Sequence, residues 1–131
     1  MHSKHGSSPT LAHKRRWDEF RWVGCVACQQ HHRRGQPSDV HHILVDGKRP
    51  RGAEAHWKTI GLCPHHHRGI PHEGLSNKRM TEIYGPSKAL EPKKFEALYG
   101  TDEELLVLQN NLIEADDREA YRVVNEFKRR N

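Results

Sequence analysis

Two pairs of residues in this chain have the spacing of metal ligands. Cys25 and Cys28 form the first pair and Cys63 and His66 the second, with two residues between the members of each. Zinc in tetrahedral structural sites is bound by thiolate sulfur and imidazole nitrogen. Three cysteines cannot all pair as disulfides, although a redox pair with one free thiol is an alternative. The spacing favours a structural Zn²⁺ held by these four side chains.

The histidines beside these ligands predict a second site. Residues 65–67 and residues 41–42 are runs of consecutive histidines. Neighbours on a helix are rotated by roughly 100°, so His66 and His67 face different surfaces, and neighbours on a strand point to opposite sides. Hydrolysis of nucleic acid needs a cation at the scissile phosphate and a base that activates water, and imidazole has a suitable pKa. We therefore expect one histidine to hold a metal and its neighbour to act as the base.

These histidines need a scaffold, which the segment between the cysteine motifs must supply. The 34 residues between Cys28 and Cys63 are too many for a compact finger. Residues 39–45 have the β-branched and apolar content of a strand, Asp46-Gly47 is a turn signal, and a second short strand is predicted around residues 57–61. The second cysteine motif then opens a helix. The predicted order is two strands followed by a helix, with ligands on both.

Composition predicts one small domain. Only 34% of the 131 residues are hydrophobic, so the core is thin, and such domains usually need a metal or disulfides. Residues 1–10 are polar and predict a flexible basic arm, and residues 11–131 predict a single domain. No apolar run is long enough for a membrane span or a secretory signal. We expect a cytoplasmic protein with no membrane partner.

The net charge of +5 is unevenly spread. Residues 1–80 carry 14 Lys and Arg against 6 Asp and Glu, whereas residues 81–131 carry 8 against 11. A basic half that also holds the histidines favours a phosphate-rich partner, although a generic basic surface is the alternative. His31 and His32 are expected to be solvated or to face phosphate. The predicted nucleic-acid contacts are Lys48, Arg49, Arg51, Lys58 and Arg68.

Helices account for the remaining segments. Residues 11–23 predict an amphipathic helix, in which Trp17 and Trp22 are expected to pack rather than to stack on bases. Further helices are predicted over residues 76–84 and 93–99, and Thr101-Asp-Glu-Glu is a helix-start signature. Apolar spacing predicts two more helices after it. We expect these C-terminal helices to pack and to carry no chemistry.

Several of these segments resemble a known family. The Cys-x-x-Cys pair, residues 39–43 (Asp-Val-His-His-Ile) and residues 62–67 (Leu-Cys-Pro-His-His-His) look like the HNH, or ββα-metal, nuclease motif. More narrowly, with His72-Glu-Gly and Phe95-Glu-Ala-Leu-Tyr-Gly they resemble the phage Ref-type RecA-dependent nucleases of recombination enhancement. The resemblance extends from about residue 17 to residue 100.

The resemblance implies a role for each histidine. By motif position, His42 would be the general base. His41 would bind the catalytic metal, where many HNH enzymes have aspartate, and His67 would be another ligand. The usual further ligand, four positions on, falls at Pro71, which cannot bind a metal. His72 is the nearest substitute.

One residue of the HNH motif is missing. The motif's asparagine orients the base, but no asparagine occurs between His42 and His67. His56 could stand near that place, or it could be structural or solvated. Asp39 could hold the imidazole of His42, or it could be a surface residue. His65 could replace His66 at the zinc, but the two-residue spacing favours His66.

The resemblance implies an α+β fold with a small zinc-stapled ββα-metal (HNH/His-Me finger) core and flanking helices. It implies a metal-dependent DNA endonuclease that depends on RecA filaments and acts in phage recombination in the bacterial host cell. The implied cofactors are structural Zn²⁺ and a divalent catalytic ion, Mg²⁺, Mn²⁺ or Zn²⁺. A ligand set made mostly of histidine favours Mn²⁺ or Zn²⁺ over Mg²⁺. The alternatives are an HNH endonuclease that needs no RecA and a zinc-dependent DNA-binding module without catalysis.

Overall fold

The structure, a computed structural model, describes residues 8–130. The predicted arm lies outside the described residues except for residues 8–10. Over the described range the chain forms a two-stranded sheet surrounded by helices, which agrees with the α+β prediction. The elements in chain order are α1 (Leu11–Val23), α2 (Val26–Gln29), β1 (Asp39–His42), α3 (Glu54–Trp57), β2 (Thr59–Leu62), α4 (Pro64–Arg68), α5 (Asn77–Tyr84), α6 (Pro92–Tyr99), α7 (Asp102–Leu112) and α8 (Asp117–Arg130).

The sheet and α4 form the predicted strand-strand-helix unit. Strands β1 and β2 are antiparallel, with His41 opposite Ile60 and His42 opposite Thr59. The first strand is shorter than the predicted 39–45 because the chain enters a tight turn, in which Val45 and Lys48 exchange both backbone hydrogen bonds at 2.8 and 3.0 Å. The second strand begins later than predicted, since residues 54–57 form the short helix α3.

The outer edge of β2 is covered by a side chain of α7. The buried amide of Gln109 accepts a hydrogen bond from the Gly61 N–H at 2.7 Å and donates one to the Thr59 carbonyl at 3.0 Å. These two bonds replace those that a third strand would make. They also fix α7 against the strand that leads into α4.

The hydrophobic core surrounds the cysteines. Cys25, Cys28 and Cys63 are buried within one apolar cluster. Its other large members come from the sheet and from the C-terminal helices, and they are Ile43, Ile60, Leu62, Phe95, Tyr99, Leu105, Leu108, Leu112 and Val124. The C-terminal helices therefore close over the cysteine cluster, and their predicted packing role is observed.

The two tryptophans of α1 differ. Trp17 packs as predicted, and its indole N–H contacts the His56 carbonyl and the Thr59 hydroxyl, each at 3.1 Å. The prediction for Trp22 is wrong, because its side chain is 87% exposed. The inward face of α1 is occupied by Phe20 and Val23, which leaves Trp22 on the outer face. No helix in the described part of the chain is long and apolar enough to cross a membrane.

Candidate metal centres and catalytic histidines

The four predicted zinc ligands lie together in the core. The sulfurs of Cys25, Cys28 and Cys63 and a ring nitrogen of His66 all fall within 4.8 Å of one another. His66 Nδ1 lies 3.6, 3.5 and 3.2 Å from the three sulfurs in that order. Ligands of a tetrahedral zinc ion, with Zn–S near 2.3 Å and Zn–N near 2.0 Å, are about 3.5–3.8 Å apart. The cluster therefore fits a metal such as Zn²⁺.

Each half of this cluster uses the same local geometry. Cys25 precedes α2 and its sulfur accepts from the Cys28 N–H, while Cys63 precedes α4 and its sulfur accepts from the His66 N–H, both at 3.4 Å. In each pair, the first ligand is the cysteine at the N-cap of a short helix, and the second ligand is the residue three positions later. Gly69 ends α4 with a φ of 68°, which a residue with a side chain rarely adopts.

The acidity of the three thiols also favours a cation. Burial and hydrogen bonds with the other two cysteines raise the pKa of Cys25 well above its ordinary value. Hydrogen bonds from Cys25 and Cys28 lower the pKa of Cys63. One thiolate is thus stabilised only while its neighbours keep their protons. A bound cation allows all three sulfurs to be thiolates, because it supplies the missing positive charge.

Behind the cluster, polar groups fix the ring of His66. Its Nε2 lies 2.9 Å from the Tyr84 carbonyl and 3.2 Å from the Tyr99 hydroxyl. A carbonyl can only accept, so Nε2 carries the proton and the lone pair of Nδ1 faces the sulfurs. His31 is exposed, in keeping with its predicted solvated role, and its Nε2 also contacts the Tyr99 hydroxyl at 2.7 Å.

Two other histidines also have specific packing partners. His32 was expected to be solvated or to face phosphate; it is exposed, and one face of its ring stacks on Tyr121 at a centroid distance of 4.4 Å. His65 is buried, and its Nε2 lies 2.8 Å from the Gly85 carbonyl. His65 is not part of the cysteine cluster, in keeping with the spacing argument that favoured His66.

The second group of histidines lies at the surface of the hairpin. Adjacent residues diverge as predicted, since His66 faces the sulfurs while His67 faces His41 on β1. His41 Nδ1 and His67 Nε2 are 3.2 Å apart. On its far side, His67 Nδ1 donates to the Asp39 carboxylate at 3.2 Å. Asp39 therefore holds His67, rather than His42.

The far side of His41 also meets a carboxylate. His41 Nε2 donates to Asp102 Oδ2 at 3.3 Å, and Lys88 Nζ lies 2.7 Å from the other carboxylate oxygen. Burial opposes ionisation of this carboxyl, but the hydrogen bond from His41 and the Lys88 ammonium outweigh it and lower the pKa of Asp102 to about 2. Asp102 is therefore ionised at neutral pH and acts only as an acceptor.

The two outer carboxylates determine where the imidazole protons lie. Since His41 Nε2 and His67 Nδ1 both donate to carboxylates, their inner nitrogens both carry lone pairs when the rings are neutral. Two lone pairs 3.2 Å apart repel each other unless a cation or a proton lies between them. Two ligands at about 2.0–2.1 Å from one metal ion are about 3.0–3.4 Å apart. The donor set and its spacing fit a divalent ion.

His42, the next residue on β1, has a different partner. Its Nε2 lies 3.1 Å from Nδ1 of His56 in α3, and the edge of the Trp17 ring system packs against it. Burial, then the charges of Arg49, His56 and His41, lower the pKa of His42. At neutral pH this imidazole is neutral and can accept a proton.

The remaining predicted residues lie around these groups. Arg68 is exposed, and its Nε donates to Asp39 Oδ2 at 3.0 Å. The ring of His72 packs near Tyr84, and its backbone N–H donates to the sulfur of Met80 at 3.4 Å. The structure thus places His72 beside α5, rather than in contact with His41.

The predicted basic residues of the loop lie at the surface. Lys48, Arg49 and Arg51 are exposed, and Lys58 is partly buried. Arg49 lies close enough to His42 to lower its pKa. Positive charge therefore flanks His42 on the side of the loop, while Arg68 adds a cation on the side of α4.

Comparison with known proteins identifies the family. Residues 9–114 match the family model described as recombination enhancement, RecA-dependent nuclease. The chain belongs to this family. No curated protein matches the chain. The part that matches this family of RecA-dependent nucleases contains both histidine groups, the cysteine cluster and all elements from α1 to α7.

Sequence reasoning did not settle two polar contacts of the histidine group. Asp102 was explained as part of a helix start, which gave no reason to assign it another role. His56 was left open between three roles, and no spacing connects it with His42. The one available signal was the lack of an asparagine between His42 and His67, which left the place of that motif residue open.

Proposed function

We propose that this member of the RecA-dependent nuclease family is a metal-dependent DNA endonuclease of the HNH, or ββα-metal, type, which cleaves DNA bound in RecA filaments. The observation that carries the proposal is the His41–His67 pair, whose inner nitrogens are 3.2 Å apart, on a hairpin and helix that also carry His42. Family membership supports the nuclease activity and the link to RecA. The strand-strand-helix order supports the HNH type.

The residues that would hold the catalytic ion are His41 and His67. Their outer N–H groups are already bound to Asp102 and Asp39, so the rings are oriented before an ion arrives. A bound divalent ion would polarise the scissile phosphate and stabilise charge on the leaving oxygen. Nitrogen ligands favour Mn²⁺ or Zn²⁺ over Mg²⁺. His72 stays a predicted third ligand, with its described contacts directed at Tyr84 and Met80.

His42 would act as the general base through a defined tautomer. If its Nε2–H donates to His56 Nδ1 across the 3.1 Å contact, the lone pair of His42 lies on Nδ1 and can take a proton from water. The resulting imidazolium is then stabilised by the same hydrogen bond, since His56 remains the acceptor. His56 would therefore do the orienting work of the missing asparagine. Because the pKa of His42 is lowered, the neutral form is available at neutral pH.

The basic residues would hold the DNA backbone on both sides of the base. Lys48, Arg49 and Arg51 project from the loop after β1, and Lys58 lies just before β2. Arg68 lies next to Asp39, close to the proposed metal ligands, where it can stabilise negative charge on the phosphate. The expected contacts are to phosphate and therefore depend on salt concentration rather than on DNA sequence.

Cleavage of single-stranded DNA, with and without RecA and ATP, tests the proposal. We expect cleavage that needs a divalent ion and RecA, and a loss of about 10²–10⁴-fold in rate for His42→Ala, the range typical of a general base. DNA affinity should be nearly unchanged. His32→Ala is the matched control, because that histidine stacks on Tyr121 and belongs to neither proposed site.

Each alternative predicts a different result in the same assay. Equal cleavage with and without RecA would favour an HNH endonuclease that acts independently. DNA binding with no cleavage, under any divalent ion and with RecA present, would favour a zinc-dependent binding module. In that case His42→Ala would change nothing that the assay measures.

A further inference from the structure

Asp102 is the first residue of α7, and its side chain leaves the helix for the histidine site. It is 61 positions from His41 in the chain, yet its Oδ2 accepts from His41 Nε2 at 3.3 Å. The side chain is only 12% exposed. A carboxylate so far removed from water requires partners that compensate its charge, and His41 and Lys88 supply them.

The helix start alone does not explain this placement. The N-cap of α7 is Thr101, and the reciprocal capping contact is made by Glu104, whose carboxylate accepts from the Thr101 N–H at 2.9 Å. Glu103 is exposed and contacts the backbone of Asp46. Two other acids therefore already serve the positive end of this helix. Only Asp102 is directed at His41.

Lys88 connects Asp102 to the α4 segment. Its ammonium lies 2.7 Å from Asp102 Oδ1, and its backbone N–H donates to the His66 carbonyl at 2.8 Å. The Lys88 position is thereby fixed by the helix that carries both His66 and His67. Asp102 of α7 thus contacts His41 on β1 on one side and Lys88 on the other. Lys88 in turn is bound to α4, so Asp102 connects the strand that carries His41 to the helix that carries His67.

We propose that Asp102 is a positioning residue of the catalytic metal site, which orients His41 so that its Nδ1 faces Nε2 of His67. The inference rests on the proposed function, because it assigns His41 as a ligand of the catalytic ion. Asp102 lies across the imidazole ring from Nδ1, so it acts through His41 and is not itself a ligand. The N-terminus of α7 is thereby part of the active site, in addition to packing on β2.

Mn²⁺ affinity of the zinc-loaded protein, measured by electron paramagnetic resonance, tests this role without DNA. We expect Asp102→Asn, which keeps the shape of the side chain and removes its charge, to weaken Mn²⁺ binding by about 10–100-fold, the range for partners that orient a metal ligand. Asp102→Glu keeps the charge but lengthens the side chain, so we expect it to retain part of the affinity. Glu103→Gln is the matched control, since it removes the same charge from the same helical turn without touching His41.

Two further variants separate this inference from the proposed function. His41→Ala and His67→Ala should abolish Mn²⁺ binding. If they do so while Asp102→Asn binds Mn²⁺ as tightly as Glu103→Gln, the metal site stands and the positioning role is overturned. If neither histidine variant changes Mn²⁺ binding, both the metal site and the role of Asp102 are overturned. Zinc content and the thermal midpoint show that each variant is folded. If Asp102→Asn does not fold, Asp102→Glu is measured instead, and an Mn²⁺ affinity equal to that of Glu103→Gln then overturns the positioning role.

Discussion

The cysteine cluster and the His41–His67 pair each take one histidine from the same short helix, α4, yet they differ in burial and in donor atoms. His66 is fully buried and faces three sulfurs, whereas His67 is partly exposed and faces one nitrogen. Four ligands of sulfur and nitrogen complete a tetrahedral shell, which is typical of structural sites. An ion held by two nitrogens at the surface, as proposed for His41 and His67, would keep coordination positions for water and phosphate. A rotation of one residue along α4 thus separates the buried cysteine cluster from the proposed catalytic site.

Removing the buried metal should have the largest effect. Structural zinc supplies on the order of 10 kcal/mol of apparent binding free energy in zinc-finger peptides, which is comparable to the whole stability of a small domain. We expect Cys63→Ser, or treatment with a strong chelator, to unfold the chain cooperatively. Circular dichroism and thermal scans measure this. A folded, metal-free protein with an unchanged midpoint would contradict a structural role for the cluster.

Removing the surface ligands should abolish activity and leave the fold intact. We expect His67→Ala to lose metal-dependent cleavage and to keep one zinc per chain, because the buried ligands remain. Metal analysis and cleavage with RecA, measured on the same preparation, check both halves of the prediction. Loss of the zinc in this variant would mean that the two sites are not independent.

The pH dependence of cleavage should show the environment of His42. A general base acts in its neutral form, and burial with the nearby Arg49 charge lowers the pKa of His42. Activity should therefore persist to a lower pH than an ordinary histidine would allow, and it should fall as the pH drops through that lowered pKa. Arg49→Gln removes one cause of the shift, so the acidic limb of kcat/KM should move to higher pH. An unchanged limb would indicate that another group titrates there.

The smallest effect is expected on stability, from a change in the polar groups that contact His66 behind the cysteine cluster. Tyr99→Phe removes the hydroxyl next to His66 Nε2, but the Tyr84 carbonyl at 2.9 Å remains as its acceptor. The hydroxyl also donates to that carbonyl at 2.8 Å and contacts His31 Nε2 at 2.7 Å. We therefore expect a loss of about 1–2 kcal/mol in unfolding free energy, the range of one or two hydrogen bonds, with zinc content unchanged. Denaturant unfolding measures it. Tyr121→Phe, in the exposed stack with His32, is the control and should be neutral.

The sequence predicted those parts of the site in which the contacting residues lie close together in the chain. Cys25 with Cys28 and Cys63 with His66 have a spacing that one helical turn explains, so these pairs could be recognised from the sequence. The divergence of His66 and His67 follows from helix geometry alone. The strand-strand-helix order was also predicted, with its boundaries shifted by the turn at residues 45–48.

The contacts that sequence reasoning missed join distant segments. His56 reaches His42 because α3 folds back between the strands, and no local pattern indicates that short helix. Asp102 has the residue type of an ordinary helix start, so its contact with His41 could not be distinguished from capping. Trp22 was misassigned because an aromatic residue on an amphipathic helix usually packs inward. In each case the deciding information was the tertiary arrangement rather than the periodicity.

The amide of Gln109 has a consequence for how this protein behaves in solution. A two-stranded sheet presents backbone donors and acceptors on its outer side, and such groups can recruit a strand from another molecule. By bonding to Gly61 and Thr59, the side chain occupies the positions that an incoming strand would need. Together with the rest of α7, which packs on this strand, the side chain keeps the edge of β2 from pairing with another chain. We expect Gln109→Ala to loosen this contact and to increase aggregation on storage or mild heating.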